Sequence, residues 1–161
     1  MKVVINACFG GFSLSAKAVK RLAELQGREC YFFTHQTKPV FDFDKQVPIT
    51  IEEADGPGIF IWSAFDIPNA PEVIGKSFRD SDGTYKTYNA LYGKHCLTSR
   101  ELERHDPLLI QVVEELGGGH RQGASGKCAE LKIVEIPDGV AYVIEEYDGN
   151  EHVAEKHETW S

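Results

Sequence analysis

Apolar and polar positions along the chain divide it into stretches of different period. Val3, Val4 and Ile5 form a β-branched run inside Lys2 to Phe9, which predicts a strand placed to enter a core; Gly10-Gly11 breaks it. Leu14, Ala18, Leu22 and Leu25 then share one helical stripe, so a helix capped by Ser13 or Ser15 is expected to about Gln26, with Gly27 ending it. Arg28 to Thr34 reads as the next strand, a β-α-β start whose pairing sense one sequence does not give. From His35 to Ser81 the pattern weakens, because Pro39, Pro48, Pro57, Pro68 and Pro71 stand too close together for long elements; Ile59 to Ala64 is the one convincing strand there.

Tyr85 to Leu97 is polar and aromatic, and a strand, a hairpin and an ordered loop all fit it. Asp106-Pro107 is a strong helix start, an N-cap followed by proline in the first turn. Leu109, Val112, Val113 and Leu116 repeat at helical spacing behind it, and Gly117-Gly118-Gly119 ends the run. Leu131 to Ile136 and Val140 to Glu146 predict a hairpin through Pro137-Asp138-Gly139, with Asp148-Gly149 turning into an acidic tail. Together these segments predict a single α+β domain over 1–161: a mainly antiparallel sheet with two principal helices, near 15–26 and 107–116, packed against it.

Composition narrows the classes. At 161 residues, 42% of them hydrophobic, the chain is long enough to fold without a disulfide or metal staple. Its four cysteines form no C-x-x-C pair, so neither a zinc ribbon nor a redox dithiol is signalled and reduced cytosolic thiols are expected. Apolar runs such as Ile59 to Trp62 fall far short of the ~20 residues of a membrane span, and the N-terminus lacks the pattern of a secretory signal. No membrane association is therefore expected. A net charge of −8 argues against wrapping a long nucleic acid, though not against a small anion. Residues 128–161 carry two basic against nine acidic side chains, so anion contacts should come from the first helix or the middle of the chain.

Candidate chemistry follows from that placement. Gly117 to Lys127 resembles a P-loop only superficially: no glycine lies five residues before Gly126, Cys128 replaces the hydroxyl residue, and the segment leaves a helix. Arg121 and Lys127 remain anion candidates on a ligand-covering or connecting loop. Gly11 and Ser13, between a strand and a helix, suit a small anion at free backbone N–H groups; a tight capped turn with nothing bound fits equally. The six histidines have no ligand spacing, the tail carboxylates lack an EF-hand pattern and no G-x-S-x-G elbow occurs, so no catalytic set, metal or cofactor is expected. What remains is a series of rings and cations around an amide: Phe78, Arg79, Tyr85, Tyr88, Asn89, Tyr92, Lys94, Arg100 and Arg104, joined by Arg28 beside the first helix. Rings stack a base, Asn reads an adenine edge and Arg forks onto phosphate; a polar sheet edge and helix start is the other reading. Arg104 in particular is expected either to aim at a phosphate beside the Asp106 helix start or to pair with Glu101 or Glu103.

Three blocks covering about half the chain resemble a family of small bacteriophage proteins: Val4-Ile5-Asn6 through Ser15, Arg104 through Gly117, and Leu131 through Gly149. The pattern is similar to the first described Thoeris anti-defence family, sponges that sequester cyclic ADP-ribose isomers made by bacterial TIR immune proteins. The resemblance implies an oligomeric binder without a cofactor, acting in the cytoplasm of the infected bacterial host, with pockets of Arg, aromatic and Asn side chains; some members also hold cyclic oligonucleotides at a second site. Phe78, Asn89 and Arg104 have the right types in order, while residues 36–98 lie outside the resemblance. A homo-oligomer is also expected from Val153, Ala154 and Trp160 among the tail charges. The competing classes are a small phosphoesterase or nucleotide hydrolase, which needs His and carboxylate groups brought together by the fold, and a phage structural or interaction module.

Overall fold

The structure, a computed structural model, describes residues 1–35, 46–76, 86–97 and 102–157. The chain divides into two compact units, one of residues 1–18 and 102–161, the other of residues 19–101. The fold is α+β, and all named strand pairings are antiparallel.

In the first unit β1 (Lys2–Asn6) is an edge strand of the sheet β1-β6-β5, with β6 (Glu130–Glu135) central and β5 (Gly119–His120) on its far side. Val4 faces Ile133 in the register. Helix α5 (Pro107–Leu116) packs on β1 and β6 and buries Leu109, Val112 and Val113 against a core that includes Val3, Val4 and Leu131. Asp106 caps it as expected: one carboxylate oxygen accepts from the N–H groups of Leu108 (2.7 Å) and Leu109 (3.2 Å).

The expected hairpin between the strands near 131 and 146 does not form. Both strands exist, but β6 pairs with β1 and β5, whereas β7 (Tyr142–Tyr147) pairs with β8 (Asn150–Glu155). The decisive turn is Asp148-Gly149. Tyr147 opposes Asn150, and Asp148 (φ 51°) and Gly149 (φ 86°) both adopt the positive φ of the two-residue turn that matches strand twist. Six residues, Ile136 to Ala141, separate β6 from β7 instead. Residues Asn150–Glu155 of the acidic tail thus form a strand, and Glu151 in it is buried.

The second unit centres on the sheet β3-β2-β4, of Gln46–Ile49, Tyr31–His35 and Trp62–Phe65. Pro48 lies on an edge strand, the position in a sheet where proline is tolerated. Helix α2 (Ile51–Asp55) follows with a capping box between Thr50 and Glu53, and α3 (Ala70–Lys76) precedes α4 (Lys86–His95). Tyr85 to Leu97 therefore contains a helix, which none of the three forms read from the sequence included. Tyr88, Leu91 and Tyr92, at i, i+3 and i+4, pack on a cluster of Phe33, Phe65, Ala70, Ile74 and Cys96. Helix α1 (Ala16–Leu25) is capped by Ser15, whose Oγ accepts from the Ala18 N–H, and Gly27 at φ 69° follows its end. The expected β-α-β start places its two strands in separate sheets. Among the described residues no helix is long and apolar enough to cross a membrane.

Candidate ligand-binding site

Of the residues named from sequence, Phe78, Arg79, Tyr85, Arg100 and Trp160 lie outside the described residues. Gly11, Ser13, Arg104 and Arg121 fall in the first unit, and Arg28, Tyr88, Asn89, Tyr92 and Lys94 in the second.

Arg104 is committed internally. Its two terminal nitrogens donate to the two oxygens of Glu151 at 2.9 and 2.8 Å, and its guanidinium carbon stacks 3.4 Å from the centre of the Phe12 ring. The fork is therefore used on a carboxylate, contrary to the expectation of a phosphate beside the Asp106 helix start, and the partner is Glu151 and not Glu101 or Glu103. Glu151 also accepts from the backbone N–H of Asn6 (2.8 Å). Asn6, wholly buried, donates its amide to the carbonyls of Cys8 and Gly149 and accepts from the N–H of Glu130. This network pins the end of β1, the β7–β8 turn and β6 together.

The glycine turn belongs to the same construction. A Cβ at Gly10 would fall 1.7 Å from the carbonyl oxygen of Cys128, and one at Gly149 would fall 2.4 Å from the Gly11 nitrogen. The turn is thus packed against other backbone. Ser13 lies under Gly126, whose N–H donates to the Ser13 carbonyl. Arg121 is exposed, with φ 55°.

In the second unit Arg28 donates from Nε (3.1 Å) and a terminal nitrogen (2.8 Å) to one oxygen of Asp66, and also to the Lys94 carbonyl at the end of α4. The other Asp66 oxygen sits 2.8 Å from Nδ1 of His95. Partial burial works to raise the Asp66 pKa, but the hydrogen bonds and charges of Arg28 and His95 outweigh it and hold the carboxyl below its usual value. A depressed native pKa gives stability that is present above the unfolded value near ~4 and is lost as pH falls through the native value. Asp66→Asn is expected to lower urea-measured stability by about 1–2 kcal/mol at pH 7 and to leave a smaller difference at pH 3. An equal loss at both pH values would contradict this linkage.

Tyr88 and Tyr92 stack at 5.7 Å between centroids, and Tyr92 meets Phe65 edge-on; these rings serve the core cluster. Asn89 and the Lys94 side chain are exposed on α4.

A concave site of about 410 Å³ opens elsewhere in this unit, within the range of small-molecule pockets. Tyr31, Phe32 and Phe33 of β2, Pro48 and Ile49 of β3, and Pro68 beyond β4 give it apolar and ring surfaces. Thr50 and Ile51 close one side, and Lys20 of α1 and Cys30 complete the lining. Comparison with family models, curated proteins and solved structures gives no match. Chemistry therefore has to be read from the cleft itself. Burial pushes the Cys30 thiol up to about 12 against the smaller pull of Lys20, so at neutral pH it is a protonated wall group and not a nucleophile. None of the lining residues was singled out in the sequence, although closely spaced prolines beside Tyr31-Phe32-Phe33 were the available signal.

Proposed function

We propose that the chain binds and sequesters a small nucleotide-derived signal, a cyclic ADP-ribose isomer or a cyclic oligonucleotide, and stores it without cleaving it. On this reading it is a phage anti-defence sponge, acting as a homo-oligomer in the cytoplasm of the infected host. The observation that carries the reading is the cleft. It offers rings and prolines for a base, the Lys20 ammonium and the Thr50 hydroxyl for an anion, and a thiol held in its unreactive form. The sequence blocks that resemble the sponge family suggest the same reading. Storage at ~1 nM corresponds to about 12 kcal/mol of binding, which stacking and a charged contact help supply.

Calorimetric titration with cyclic ADP-ribose isomers and cyclic oligonucleotides is expected to give binding with at least one of them. The ligand released by heating the complex should have unchanged mass. Absence of heat with every compound would refute the reading.

The second reading, a nucleotide hydrolase, is favoured by one contact: Asp66 on Nδ1 of His95 assigns that nitrogen the proton and leaves Nε2 as an acceptor. Cleaved ligand in the same experiment, with turnover lost in His95→Gln, would put this reading in place of the sponge.

A further inference from the structure

We infer that the cleft of the second unit takes a flat heterocyclic base joined to a single phosphate, with Lys20 as the phosphate contact and the exposed side of β3 as the seat of the ring. This rests on the binder reading and narrows it to one site and one ligand moiety.

Charge is the first argument. The protein carries 25 acidic against 17 basic side chains, yet among the described residues the lining of this cleft holds one cation, Lys20, and no carboxylate. Lys20 is exposed and makes no ion pair with another described residue. Cys30 adds no negative charge, because its thiol stays protonated. Glu29 bonds the Tyr31 hydroxyl, Glu24 acts on Cys30 and Glu53 accepts from the Thr50 N–H, so Lys20 is the lining group left to attract an anion, and one ammonium matches one phosphate.

The hydroxyl of Thr50 supplies a second contact. It accepts from the Glu53 N–H at 3.2 Å, so its own hydrogen is left to donate toward the cleft that it lines. The ring seat follows from the sheet. Pro48 is exposed on this edge strand and lines the cleft, so its apolar ring offers a surface to a flat ligand. Tyr31 adds an aromatic surface to the same cleft. Base stacking of this kind tolerates different bases, so the phosphate sets the charge selectivity and the base adds affinity.

The test compares adenosine, adenosine 5′-monophosphate and inorganic phosphate by calorimetry on the whole chain, with Lys20→Met and Lys20→Arg beside the parent. The monophosphate is expected to bind at least about tenfold more tightly than adenosine, the scale of a charge-assisted contact. It should lose that advantage in Lys20→Met and keep part of it in Lys20→Arg. Adenosine binding should be the same in all three proteins, which also shows that the substitutions leave the cleft folded. Unchanged monophosphate binding in Lys20→Met would overturn the Lys20 assignment while leaving the binder reading standing. Binding of cyclic nucleotides without any binding of the monophosphate would overturn the single-phosphate assignment alone. No binding of any nucleotide would overturn the binder reading and this inference together.

Discussion

Arg104→Ala is expected to destabilise the protein by about 3–5 kcal/mol, one of the two largest losses expected for a single substitution. The reason is what it leaves behind. Glu151 is only 8% exposed, and its two oxygens receive the Arg104 fork while one also accepts from Asn6. Without the guanidinium the carboxylate stays buried with a single backbone donor, and the Phe12 ring loses the cation stacked on it. Urea unfolding of the parent, of Arg104→Ala and of Arg104→Met with Glu151→Leu separates the effects. The double substitution should recover much of the loss, because it removes both charges and keeps apolar volume. A loss below about 1 kcal/mol for Arg104→Ala would mean that the pair behaves as a solvated surface bridge. A drop in ligand binding of Arg104→Ala would have to be read beside its stability, since the residue holds the first unit together.

The other large effect belongs to Gly10. A methyl group at this position overlaps the carbonyl of Cys128, with the oxygen at 1.7 Å and the carbon at 2.7 Å, and backbone cannot swing aside as a side chain can. Gly10→Ala is therefore expected to cost about 3 kcal/mol or more. Its neighbour provides the contrast. Gly11 has φ 82° but nothing within 4 Å of a Cβ, so Gly11→Ala should cost only the conformational penalty, about 1 kcal/mol. Thermal unfolding should show the Gly10 variant well below the Gly11 variant. Equal shifts would show that the Cys128 segment moves away, and that packing at the turn is looser than the structure gives.

These two positions show why the sequence yielded some features and concealed others. Helix α5 was legible because its signals are local: a cap at Asp106, proline at the next position, and Leu109, Val112 and Val113 on one stripe. The β7–β8 turn was legible as a turn for the same reason, since Asp148-Gly149 tolerates positive φ. Pairing is not local. The partner of β6 is β1, at the other end of the sequence, and nothing in residues 131–146 distinguishes that arrangement from a hairpin. Helix α4 was hidden because its inward face is built of Tyr88, Leu91 and Tyr92, so no run of aliphatic side chains marks it. Arg104 was noticed for its type, but its partner sits 47 residues away in a segment that reads as a solvated acidic tail. The cleft is assembled from α1, β2, β3 and the segment after β4, and each contributes only a few ordinary residues.

The pairing of β1 with β6 also shapes the synthesis of the protein. Val3, Val4 and Ile5 leave the ribosome about 130 residues ahead of their partners Val134, Ile133 and Lys132. At ~5–20 residues per second the strand waits roughly ten seconds for its partner. During that interval three apolar, β-branched side chains have no native strand beside them, while the contiguous residues 19–101 already contain every strand of their own sheet. Strand β1 thus stays without its native partner until residues 131–135 have been made.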